Sequence, residues 1–204
     1  LSFNWTVQGQ LGNVTGAVRT GNDAAQAQTD LLNAYNNADA RIPTSNFAGD
    51  NNGRTYTPGI HHTDAAFALT GTMTLDGQGD PNAVFIFQVD AALNTAANST
   101  INLINGAQAP HIYWQVLGAA GTGATSSFSG TIMAAGAITI GAGATLTGRA
   151  LSRDTVTLAG NTITTLGGVL SITAPAQAGN LGSASPQFGG GAGHQRRFGA
   201  SEGE

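Results

Sequence analysis

Ser127-Phe128-Ser129, Thr145-Leu146-Thr147 and Thr162-Ile163-Thr164 decide how this chain folds. Each triplet sets a hydroxyl residue on either side of one apolar residue, the alternation of a half-buried strand. Towards the N-terminus, Thr100-Ile101-Asn102 and Thr72-Met73-Thr74 repeat the pattern. The central apolar residues of the five triplets lie 28, 27, 18 and 17 positions apart. The two long intervals hold turn-rich insertions, around Gly79-Asp80-Pro81-Asn82 and Asn105-Gly106-Ala107-Gln108-Ala109-Pro110. The underlying unit is a coil of roughly 17–20 residues.

A unit of that size with three short strands predicts a parallel β-helix. One strand column carries Phe85-Ile86-Phe87, Ile112-Tyr113-Trp114, Ile132-Met133-Ala134 and Ala150-Leu151-Ser152, apolar at successive positions and so in need of burial on both sides. A second carries Ala137-Ile138-Thr139-Ile140 and Val156-Thr157-Leu158. The triplets form the third, apolar inward and hydroxyl outward. An antiparallel sandwich is the rival, but hairpin signals are scarce and Asn105-Gly106 is the one good example.

Residues 24–41 read as an amphipathic helix. Ala27, Leu31, Ala34, Tyr35, Ala38 and Ile42 make one apolar stripe, and Pro43 stops the helix. This stripe is the partner available to cover the doubly apolar column. From Ala174 to Glu204 the composition is Gly, Ala, Ser, Pro and Gln, which reads as a linker or disordered tail. The expected organisation is a β-helix domain over 1–173, including the helix, and a tail over 174–204.

Composition excludes several classes. The 204 residues carry seven Lys+Arg, all arginine, against 11 Asp+Glu, so no basic footprint for nucleic acid exists. No apolar run approaches the ~18 residues of a membrane span. With no cysteine, neither a disulfide nor a Cys-ligated metal site can form. Catalysis has little to stand on. Asp76 and Asp80 sit in a Gly-rich turn, Asp90 and Asp154 look like isolated turn caps, and His61 and His62, adjacent on a strand, point to opposite faces. No catalytic residue, metal or cofactor is expected.

The stretches Thr74-Leu-Asp-Gly-Gln-Gly-Asp-Pro-Asn-Ala-Val-Phe-Ile-Phe-Gln88, Ile104-Asn-Gly-Ala-Gln108, Tyr113-Trp-Gln-Val116, Gly130-Thr-Ile132 and Gly148-Arg-Ala-Leu-Ser152 resemble the secreted microbial ice-binding (antifreeze) proteins. The helix segment Ala24–Leu31 resembles them as well. The resemblance covers roughly residues 20–165. It implies a mainly β fold: a discontinuous right-handed parallel β-helix of triangular section with one long α-helix packed alongside. It also implies that one flat face adsorbs to ice, that the protein is secreted or cell-surface, and that it is no enzyme. Members carry more coil-forming chain before the helix than Leu1 to Asn22 supplies, so either the N-terminal cap is incomplete, which would allow self-association through it, or this end closes differently.

Threonine suits such a face. Its methyl group gains by leaving disordered water, its hydroxyl anchors an ordered one, and its β-branch holds χ1 stiff. In a parallel stack, rungs repeat at about 4.8 Å and alternate residues lie about 6.6 Å apart, a grid that can match ice repeats. On this reading the ice contacts are Thr72, Thr74, Thr100, Asn102, Ser127, Ser129, Thr145, Thr147, Thr162 and Thr164. Secondary candidates are Thr95 and Asn98, and Thr122 and Thr125, whose spacing resembles a T-A/G-x-T/N motif of some members. The competing reading from a different class is a structural or adhesive extracellular β-helix module.

Overall fold

Alternating inward apolar and outward small polar residues wind the chain into stacked coils. The computed structural model describes residues 22–165, 168–171 and 179–181. Helix α1 (Asn22–Asp39) comes first. A short opening coil follows, with β1 (Ser45–Asn46) and β2 (Thr55–Tyr56). The second coil holds β3 (Gly59–Thr63), β4 (Phe67–Leu69) and β5 (Thr72–Asp76). The third holds β6 (Phe85–Val89), β7 (Leu93–Thr95) and β8 (Thr100–Ile104), and ends in a 3-10 turn, Ala109–His111. Later coils are tighter. The fourth runs through β9 (Ile112–Val116), β10 (Ala120–Thr122) and the first half of β11 (Ser127–Ala134). The second half of β11, β12 (Ile138–Ile140) and the start of β13 (Thr145–Ser152) make the fifth; the end of β13, β14 (Val156–Leu158) and β15 (Thr162–Thr165) make the sixth.

Every pairing between these coils is parallel, and the register gives three strand columns around one core. The triplets stack as expected, with Met73 beside Ile101, Phe128 beside Leu146 and Leu146 beside Ile163. Two strands depart from the parallel scheme. β16 (Gly168–Ser171) pairs antiparallel with β15, and β17 (Gly179–Leu181), inside the segment read as tail, pairs antiparallel with β14. The remainder of that tail and residues 1–21 lie outside the described residues.

A column of rings runs up the axis. His61, Phe87 and Trp114 are successive register partners, and Phe87 stacks on Trp114 at 4.2 Å between centroids. The indole N–H of Trp114 donates to the Ser129 carbonyl at 2.9 Å. His61 is buried: its Nε2 lies 3.0 Å from the Thr57 carbonyl and its Nδ1 2.6 Å from the Ser45 hydroxyl. Burial lowers its pKa, so folding favours the neutral ring. The stability contributed is present above the ordinary histidine value of about 6.5 and is lost as pH falls below it. In the first coil Phe47 and Tyr56 are buried in the core; the Tyr56 hydroxyl donates to Asn51 Oδ1.

Helix α1 covers the doubly apolar column, as its composition requires. Leu31, Tyr35 and Ala38 are buried against Ile86 and Met133, with Ile60, Tyr113 and Leu151 at the margin. The stripe is narrower than its sequence periodicity implies. Ala27 and Ala34 are exposed, and Ile42 is 85% exposed. A helix lying on a sheet touches it along one line, and the chain has already left the helix at Asp39, before Ile42 can turn inward. Gln28 ties the helix to the sheet by donating to the Ser152 carbonyl. At the other end Gln88 Nε2 contacts the carbonyl oxygens of Ala38, Asp39 and Arg41, giving the helix C-terminus its partners. Leu31→Asp puts an uncompensated carboxylate into this seam, and an expected loss of roughly 3 kcal/mol or more follows. Thermal denaturation checks it; an unchanged Tm refutes the docking.

Candidate functional surface

The triplet column forms a continuous sheet whose outward residues stand in two files. One file runs Thr72, Thr100, Ser127, Thr145 and Thr162; the other is Thr74 and Asn102, then Ser129, Thr147 and Thr164. Inward between them lie Met73, Ile101, Phe128, Leu146 and Ile163, all buried. Packing therefore holds every outward hydroxyl in position from behind. Thr72, Asn102, Ser127 and Thr162 are exposed, while Thr74, Thr100, Thr145, Thr147 and Thr164 are half-buried by their neighbours. Ser129 differs. It is 7% exposed, because the 3-10 turn Ala109–His111 packs over β11. The face therefore has one covered position in its second file, and Ser129 is withdrawn as a contact.

The secondary candidates divide. Thr95 and Thr122 are 8% and 6% exposed. They end three-residue strands whose outer residues face inward, and their hydroxyls accept from the backbone N–H groups of Gly123 and Gly141, at 3.0 and 3.2 Å. They hold the corner shut and cannot reach an external surface. Asn98 and Thr125 are exposed on that corner, both with positive φ, and the Thr125 hydroxyl donates to Asn98 Oδ1 at 2.7 Å. The small residue in the motif has a packing cause as well, since a Cβ on Gly123 would stand 2.1 Å from the Ala96 carbonyl.

The other exposed face is narrower. β4, β7, β10, β12 and β14 each turn out one central residue, namely Ala68, Asn94, Gly121, Thr139 and Thr157. Of these five residues only Thr139 and Thr157, register partners in β12 and β14, repeat a hydroxyl. Among the described residues the two acids singled out in the Gly-rich turn are engaged by the backbone and side chains around them. Asp76 accepts from the Gln78 N–H and the Asn105 amide, and Asp80 accepts from the Asn82 N–H, so both serve their turns. A groove of about 590 Å3 beside the helix is lined by residues such as Val84, Ile86, Tyr113 and Met133 with Arg41 and Arg149, and contains no carboxylate or imidazole.

Asp90 is the residue that sequence reasoning misplaced. It is not an isolated cap: Asp90 Oδ2 lies 3.2 Å from His62 Nε2, and Asp64 Oδ1 lies 3.6 Å from the same nitrogen. The register was the missing signal, because β3 and β6 pair 26 residues apart and bring the two strand ends together. His61 and His62 do diverge as the strand requires, one buried and one facing out.

A parallel β-helix bearing a hydroxyl-rich sheet and splinted by one helix is a solenoid fold. Residues 2–164 match the ice-binding-like family, and this chain is a member of it. It is 42% identical over 133 residues to an ice-binding protein of Nostoc sp. (strain HG1), covering 64% of this chain and 49% of that one. It is also 42% identical over 147 residues to ice-binding protein 1 of Shewanella frigidimarina, covering 68% of this chain and 16% of the relative. The chain thus spans about half, or less, of these relatives' length. Its fold is similar to the crystal structure of an ice-binding protein from the Antarctic ascomycete Antarctomyces psychrotrophicus, with a TM-score of 0.69 at 34% identity over 72% of each chain.

Proposed function

We propose that this protein adsorbs to ice through the triplet sheet, from Thr72 and Thr74 at one end to Thr162 and Thr164 at the other, and thereby inhibits ice growth or recrystallisation. The observation that carries the reading is the two-file register of hydroxyl side chains over a buried apolar file. No single contact is strong; a rigid array engages many lattice waters at once, and affinity grows as it does in multivalent binding. No bond is made or broken, so the reading needs neither catalytic residue nor cofactor. The absence of lysine and the low charge favour a surface that sheds its hydration readily. The relatives' names point the same way. Release outside the cell is part of the proposal, since ice forms there first. Partition of the protein into a slowly growing ice hemisphere, with thermal hysteresis, tests it; exclusion from the ice would overturn it and favour the adhesive-module reading.

Self-association through the first coil is a further part of the proposal, to be read from the oligomeric state in solution. Residues 174–204 are proposed to be dispensable for adsorption. A chain ending at Thr173 loses β17 from the edge of β14. It is expected to partition into ice like the full chain while melting a few degrees lower. Loss of partition in a folded truncation would assign the segment to the surface.

A further inference from the structure

We infer that His62, Asp64 and Asp90 form a binding site for one divalent transition-metal ion of the zinc type. His62 Nε2 lies 3.2 Å from Asp90 Oδ2 and 3.6 Å from Asp64 Oδ1, and one donor atom of each of the three residues lies within 4.8 Å of the others. Donors about 2.0–2.1 Å from a tetrahedral ion stand about 3.3 Å apart, so the nitrogen already keeps that spacing from both oxygens. Mixed imidazole and carboxylate donors suit zinc and its neighbours, whereas calcium asks for six to eight oxygens.

The donors are held by the fold. His62 and Thr63 end β3, and Asp90 follows β6, its N–H donating to the Thr63 carbonyl at 3.0 Å. The Thr63 hydroxyl accepts the Ala65 N–H and shapes the turn that presents Asp64. Among the described residues no arginine is ion-paired with either carboxylate; their partner is the His62 ring. The half-exposed corner leaves room for water to complete the coordination. A bound ion ties the second coil to the third. It lies where the helix-covered column meets the narrow face, across the coil from the triplet sheet, so it affects stability and not adsorption.

Titration of the full chain with zinc chloride, followed by calorimetry and by Tm, tests the site. One equivalent is expected to bind, and Tm to rise by about 5 °C or more at roughly a hundredfold excess over Kd. Calcium should do neither. His62→Gln and Asp90→Asn, both surface changes, should each weaken binding by about tenfold or more. Ice partition should be the same with zinc and with EDTA. Absence of saturable binding, or equal binding by both variants, would overturn the inference. Neither outcome touches the assignment of the ice face, which partition reads separately.

Discussion

Thr145→Tyr is expected to remove most of the thermal hysteresis and ice partition while leaving the fold intact. Thr145 lies in the fifth coil, flanked in its file by Ser127 and Thr162 and two residues from Thr147. Its side chain points away from the core, where Leu146 is fully buried. A ring there stands proud of a surface that works by being flat, and lifts several neighbours off the lattice together. Folding stability should change by no more than about 0.5 kcal/mol. Thr139→Tyr is the matched control: exposed, central in β12, and on the narrow face. It should be nearly silent. Loss of activity in Thr139→Tyr with retention in Thr145→Tyr would move the binding surface to the narrow face.

Gly148→Ala is expected to destabilise the protein strongly. At Gly148 the chain turns from the triplet sheet into the helix-covered column without leaving β13, at φ +149°. A Cβ there would lie 2.0 Å from the carbonyl oxygen of Gly130, the register partner in the coil before. The obstacle is backbone, so neighbouring coils must part. Strain and overpacking together suggest a cost of roughly 2–5 kcal/mol. That corresponds to a fall in Tm of about 5–15 °C for a domain of this size. A melting temperature within 2 °C or so of the parent would show that the corner is looser than its geometry. Partition measured well below the new Tm should be close to parental, which separates this effect from that of Thr145→Tyr.

The triplet sheet was legible because two demands coincide at each of its rungs: an apolar residue must face the core, and its neighbours face out. Thr145-Leu146-Thr147 meets both, so spacing alone found the register. Thr95 and Thr122 show where that logic stops. In a strand of three residues the ends face in, and a threonine there satisfies a corner N–H instead of water; its letter is the same in both roles. Ile42 misled for a different reason, since periodicity extends a stripe on paper after the helix has ended. The meeting of His62 with Asp90 depended on the length of the second coil, which the insertion at Gly77 to Val84 obscures.

The insertions carry a consequence for how such a face can be inherited. Residues added after β5 and β8 all bulge at the corner beside the helix-covered column, where Gly77 N–H bonds to the Ile104 carbonyl and Gly79 N–H to that of Asn105. Coils of unequal length therefore return to the triplet sheet in phase. The pitch is kept by backbone hydrogen bonds between neighbouring strands, and no outward side chain takes part in setting it. The sheet behaves like a ruler whose divisions belong to the main chain. Its markings can drift among Thr, Ser and Asn, and its corner loops can lengthen, while the interval between divisions stays the same.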